Sequence, residues 1–157
     1  MSRFGWILII VLVLVCQVGW AAGDNLVANG DFSAVTNGKP DSWEVSGSVK
    51  QVSQSLDVVN DGGLRCARLM CSRFEGSGAD VHAMVAKVGK VQLEKGKTYL
   101  FRCRAKSERL KGRSITVAVQ DTSIWDNCGL YSSLVVGPDW HEYNVIFRAS
   151  RSVSKTS

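Results

Sequence analysis

Apolar and polar side chains alternate with period two through much of this 157-residue chain, and that alternation confines it to strands. In 98–105, Tyr99, Phe101 and Cys103 alternate with Leu100, Arg102 and Arg104, so one face is apolar and the other largely cationic. Ile115, Val117 and Val119 alternate in the same way with Thr116, Ala118 and Gln120, and Tyr143, Val145 and Phe147 with Asn144, Ile146 and Arg148. Strands are expected over 64–70, 81–91, 98–105, 115–121 and 142–149. Between and before them lie the turn formers Asn37-Gly38, Asp61-Gly62-Gly63, Gly76-Ser77-Gly78, Lys95-Gly96-Lys97 and Gly137-Pro138. Beyond the N-terminus no segment of ten residues carries helical periodicity. The expectation is an all-β, antiparallel β-sandwich forming one domain over 24–157.

The first 22 residues are set apart. Arg3 precedes an unbroken apolar run over 7–15, and the small residues Gly19, Ala21, Ala22 and Gly23 follow. That order is the layout of a secretory signal peptide, here 1–22, with cleavage expected between Ala21 and Gly23. An uncleaved anchor competes with it, because Gln17 is the one polar side chain in 4–22. A lipoprotein signal through Cys16 fits less well, since Val15 stands where a small residue is wanted. The expected location is secreted, periplasmic or at the cell surface.

Without the leader four of the five cysteines remain: Cys66, Cys71, Cys103 and Cys128. An even number in an exported chain permits two disulfides, in any of three connectivities. Buried thiols acting as small apolar side chains are the equal alternative. Cysteine and histidine spacings match no metal site.

The net charge of +5 is concentrated. Residues 24–101 hold nine basic and nine acidic side chains, whereas 102–113 holds six basic residues against Glu108 alone. A nucleic-acid binder needs a wider basic field with interleaved aromatics, so this cluster reads as a solvated strand end and loop.

Catalysis needs converging groups, and the chain has no nucleophile, metal, phosphate or dinucleotide motif. Asp121 and Asp126 flank Ile124-Trp125 at a spacing that suggests an acid pair, but two exposed aspartates in a loop account for them. Binding is better supplied. Gln120-Asp121-Thr122-Ser123-Ile124-Trp125-Asp126-Asn127 places an indole among amides and carboxylates at the end of a strand, and Tyr131 follows. Sugars stack their C–H faces on such rings and need donors and acceptors around them. Packing of Trp125 over the core edge competes with that role. Arg102, Arg104, Thr116 and Gln120 lie opposite the apolar rows and would form a polar floor if their faces lined one concave sheet. His82 is a further candidate, while Trp43 and Trp140 read as packing residues.

Four segments in order resemble one family. Asn25-Leu26-Val27-Ala28-Asn29-Gly30-Asp31-Phe32 with Lys39-Pro40-Asp41-Ser42-Trp43 is similar to the opening of carbohydrate-binding modules of the family 4/9/22 type. Val91-Gln92-Leu93-Glu94-Lys95-Gly96-Lys97-Thr98-Tyr99-Leu100-Phe101, Ile115-Thr116-Val117-Ala118-Val119-Gln120-Asp121 and Trp140-His141-Glu142-Tyr143-Asn144-Val145-Ile146-Phe147 resemble their later strands. The resemblance implies a galactose-binding-like jelly roll, a non-catalytic role and a polysaccharide or glycan ligand, often beside a glycoside hydrolase domain. It also implies a structural calcium ion, for which Asp31 is the ligand on offer, and one more acidic strand than the chain carries after 149.

The reading that results is an exported, non-enzymatic module that binds glycan through Trp125 and Tyr131, with Gln120, Arg104 and His82 as hydrogen-bonding groups. It needs no cofactor, nucleic acid or membrane partner. The alternative is an adhesive surface domain that contacts protein, with Trp125 buried.

Overall fold

The computed structural model describes residues 6–15, 25–48, 50–76, 81–87, 91–110 and 113–153, and their regular elements are all strands. In chain order these are β1 (Trp6–Val15), β2 (Val35–Thr36), β3 (Lys39–Pro40), β4 (Glu44–Gly47), β5 (Val52–Asp61), β6 (Leu64–Phe74), β7 (Ala83–Ala86), β8 (Thr98–Lys106), β9 (Ser114–Asp121), β10 (Asp126–Val135) and β11 (His141–Arg148). One layer is a five-stranded antiparallel sheet in the order β11-β8-β1-β6-β5. Facing it are two smaller antiparallel pairs, β9 with β10 and β4 with β7, and β2 pairs with β3 at the margin. The result is an antiparallel β-sandwich.

Period-two burial explains the stacking. Tyr99, Phe101, Cys103 and Ala105 of β8 are buried, and so are Cys128, Leu130 and Leu134 of β10. The first three and the β10 residues meet in one cluster with Phe147, against which Ile115, Val117, Val119, Tyr143 and Val145 pack. Tyr99 stacks on Phe147 with centroids 5.6 Å apart, and its hydroxyl accepts a bond from the Glu94 amide at 2.8 Å. A second cluster of Phe32, Leu56, Ala67 and Leu69 lies under Val85 of β7. Trp43 touches both clusters, packs on Phe32 at 5.4 Å and donates its indole N–H to the Asn29 carbonyl at 3.0 Å. It is the packing residue its context suggested.

Several expected strands match β6, β8, β9 and β11 closely. In 81–91 only Ala83–Ala86 is paired, with β4, and 88–90 lie outside the described residues. The polar β5 is held by a tight hairpin. Gly62 (φ 58°) and Gly63 (φ 82°) occupy both central positions between the paired Asp61 and Leu64, the geometry of a two-residue primed turn. Trp6–Val15, within the expected leader, pairs in the middle of the large sheet. The rest of 1–22, and with it the expected cleavage site, lies outside the described residues.

Where disulfides were one expectation, the structure holds Cys66, Cys71, Cys103 and Cys128 as four free, buried thiols. Cys66 and Cys71 cannot join each other. Both sit on β6, where five residues at about 3.3 Å each separate them by roughly 16 Å and place them on opposite faces. Burial pushes the Cys103 thiol up to about 12, so it behaves as an apolar side chain.

Trp140 also packs, but on the outer face of the large sheet. Its indole N–H donates to the Asp61 carboxylate at 2.9 Å, and the Lys106 ammonium meets the same oxygen at 2.5 Å. Lys106 and Arg104 approach its ring at 5.6 and 5.7 Å. The bond from Lys106, then that from Trp140, holds the Asp61 carboxyl below its ordinary value. A carboxyl depressed by folding contributes fully above its unfolded pKa of about 4 and loses that contribution as pH falls through the lower folded value. Thermal midpoints measured from pH 6 down to 2 should therefore fall less steeply for Asp61→Asn than for the parent; identical slopes would show that Asp61 is not paired.

Gly129 fixes the approach of β10 to the chain after β11. Its φ is 114°, and a Cβ there would lie 2.3 Å from the Arg148 carbonyl oxygen. Gly129→Ala should cost about 2 kcal/mol or more and lower the melting midpoint by roughly 5–10 °C, measured by circular dichroism.

Candidate functional site

The β9–β10 hairpin turns one face inward to the core and the other to solvent. Inward go Ile115, Val117 and Val119 with Cys128, Leu130 and Leu134; outward go Thr116, Ala118 and Gln120 with Tyr131, Ser133 and Val135. Register pairs Tyr131 with Ala118, Ser133 with Thr116 and Asn127 with Gln120, and a bulge falls between Asn127 and Tyr131. Bulges re-aim side chains. Here the bulged backbone is satisfied by Asn127, whose side chain accepts from the Gly129 amide at 2.7 Å and donates to the Leu130 carbonyl at 2.6 Å. Tyr131 stands opposite a methyl group, so no neighbour across the ladder covers its ring, and it is 70% exposed.

The tip of the hairpin is braced with unusual care. Asp121 accepts from the Ser123 amide at 3.0 Å and from the Ser123 hydroxyl at 2.5 Å, and its carbonyl accepts the Trp125 amide at 2.7 Å. Arg151 reaches Asp121 at 3.4 Å and Asp126 at 3.1 Å. Ser123 first, and Arg151 after it, hold the Asp121 carboxyl below its ordinary value. The two aspartates thus clamp the turn together through Arg151.

Trp125 itself has φ 58° and is 67% exposed. A bulky residue in the left-handed region is an outlier whose strain costs on the order of 1 kcal/mol or more. No core burial offsets that cost. A glycine or asparagine would fit the turn better.

The structure joins Trp125, Tyr131 and Gln120 on one hairpin but does not bring Arg104 and His82 to it. Arg104 and the exposed Arg102 leave β8 on the side opposite Phe101 and Cys103, which meet β10, so they point away on the far side of the sandwich. The single polar floor of Arg102, Arg104, Thr116 and Gln120 is accordingly two floors. Alternation sorts residues within one strand and says nothing about which layer the strand joins. His82 is exposed just before β7, where its backbone amide donates to the Ser48 hydroxyl at 3.0 Å and its carbonyl accepts from the Ser48 amide at 3.1 Å. That places it in the other half of the second layer. Ser133 escaped the sequence reading; the alternation of Cys128, Leu130 and Leu134 with Gly129, Tyr131 and Ser133 was the signal that could have shown it.

Asp31 is exposed, and its carboxylate accepts from the Ser33 amide at 3.2 Å and hydroxyl at 2.9 Å. Among the described residues no three His, Cys, Asp or Glu side chains converge as metal ligands.

Substituting Trp125 separates fold from surface. Trp125→Asn should leave the melting midpoint unchanged or raise it slightly, because asparagine tolerates this backbone. A drop of several degrees by calorimetry would mean that the indole packs.

No curated protein and no solved structure matches the chain. The family model of a carbohydrate binding domain matches residues 24–157, which takes in every strand from β2 to β11. An antiparallel β-sandwich with an exposed aromatic and amide face is consistent with that match, and the chain belongs to the CBM 4/9 carbohydrate binding domain family.

Proposed function

We propose that the protein is an exported, non-catalytic module that holds an oligo- or polysaccharide along the outer face of the β9–β10 hairpin, as an accessory to a glycoside hydrolase. The observation that carries this reading is Trp125, strained in the backbone and open to solvent. Trp125 and Tyr131 supply stacking surfaces, and Gln120, Thr116 and Ser133 supply amide and hydroxyl partners between and beside them. Along β10, five residues from Asp126 to Tyr131 span on the order of 15 Å, a reach suited to several linked sugars. Export rests on the leader layout around Arg3 and the small residues at 19–23. The absence of a catalytic motif, together with the clamped state of Asp121 and Asp126, supports binding without turnover. A protein-contacting domain with Trp125 buried fits less well, because the indole is exposed.

A polysaccharide panel tested by affinity electrophoresis, followed by calorimetry on the best ligand, tests the proposal. Trp125→Ala and Tyr131→Ala should each weaken binding roughly ten- to hundredfold, as loss of about 1.5–3 kcal/mol of ring contact implies. Arg104→Ala, on the far side of the sandwich, should leave affinity within twofold. Binding to no glycan, or a greater loss from Arg104→Ala than from Trp125→Ala, would overturn the assignment.

A further inference from the structure

The large sheet is made of two ribbons that never touch by pairing. β5 and β6 form one, β8 and β11 the other, and β1 alone lies between β6 and β8. It is antiparallel to both, so β6 and β8 run in the same direction one strand apart, roughly 10 Å. Trp6 to Ile10 pair with 71 down to 67, and Ile9 to Val15 pair with 106 down to 100. Ile9 and Ile10 pair with both sides at once, Ile9 with Arg68 and Lys106 and Ile10 with Ala67 and Ala105.

The slot makes two demands. Its walls offer a row of main-chain donors and acceptors on each side, which only extended backbone can satisfy. Its core-facing rim consists of buried Ala67, Leu69 and Cys71 on β6 and Phe101, Cys103 and Ala105 on β8, so an occupant must be apolar there. The run Trp-Ile-Leu-Ile-Ile-Val-Leu-Val-Leu-Val meets both, being rich in β-branched residues and free of breakers and charge. The same residues form the apolar stretch of the leader. Strand pairing and leader recognition therefore compete for one segment.

We propose that the slot between β6 and β8 is a strand-accepting site, and that Trp6–Val15 is its occupant in the unprocessed chain, by the main-chain logic of strand addition. Removing 1–22 then takes out a central strand and leaves two ribbons with no ladder between them, joined through the core and through the bonds of Lys106 and Trp140 to Asp61. The proposal stands apart from glycan binding, since the slot lies in the layer opposite the hairpin face.

Hydrogen exchange read by mass spectrometry on the intact 1–157 chain tests it. Amides in 6–15, 67–71 and 100–106 should exchange at least a hundredfold more slowly than those of an unstructured peptide. Exchange of 6–15 at the unstructured rate overturns the proposal, whether or not the two walls are protected. Leu12 pairs with Cys103, so L12C should form a disulfide with Cys103 on mild oxidation, the paired Cα atoms being within about 5.5 Å. Free alkylation of the new thiol in a chain whose 100–106 amides stay protected likewise overturns it. If that variant fails to fold, exchange in the parent chain decides alone. Glycan affinity is measured on the same samples, so the two proposals can fail separately.

Discussion

Contact between the inner face of β8 and the inner face of β10 sets the position of everything else in this molecule. Tyr99, Phe101 and Cys103 on one side and Cys128, Leu130 and Leu134 on the other share one cluster, closed by Phe147. Burying those apolar side chains is the main driving force available to a domain of this size. Because strands alternate, the same contact fixes the outward faces: Arg102 and Arg104 must look one way, Tyr131 and Ser133 the other. The Gly129 position shows how closely the second layer is fitted, since no Cβ can stand between β10 and the Arg148 carbonyl.

The two outer faces have different chemistry. On the large sheet, Asp61 collects Lys106 and the Trp140 indole, with Arg104 over the indole ring, so that face carries paired charge and cations beside an aromatic ring. On the hairpin, charge is confined to the tip, where Arg151 ties Asp121 and Asp126 together, and the strands present hydroxyls, an amide and aromatic rings. A ring face flanked by uncharged donors and acceptors suits a sugar, whose polarity is spread over hydroxyls around an apolar ring plane. Trp125 shares its left-handed backbone with Phe32 and Ser42, but the Phe32 ring is buried in the core whereas the indole is 67% exposed.

For the four cysteines, geometry chooses between two readings that composition leaves open. Cys66 and Cys71 lie on opposite faces of one strand, and all four are buried as thiols. The N-terminal run shows the converse. Apolar β-branched residues satisfy a leader and a doubly flanked strand equally well, because both are selected for hydrophobicity along an unbroken stretch.

How much was legible can be said strand by strand. Local alternation in 98–105, 115–121 and 142–149 determined extended structure, which residues of each strand face a core, and hence an antiparallel sandwich. The order of four segments pointed to a carbohydrate binding domain, the family whose model matches 24–157, and the sequence around Trp125 and Tyr131 placed two aromatic rings that the fold leaves exposed. Alternation acts between neighbours in sequence, so it could not assign strands to layers, find the polar β5, or part Arg104 and His82 from Gln120. Those were decided by tertiary structure, because only packing of one face on another gives a strand its layer, and only long-range pairing supplies partners to a strand whose own residues do not demand them.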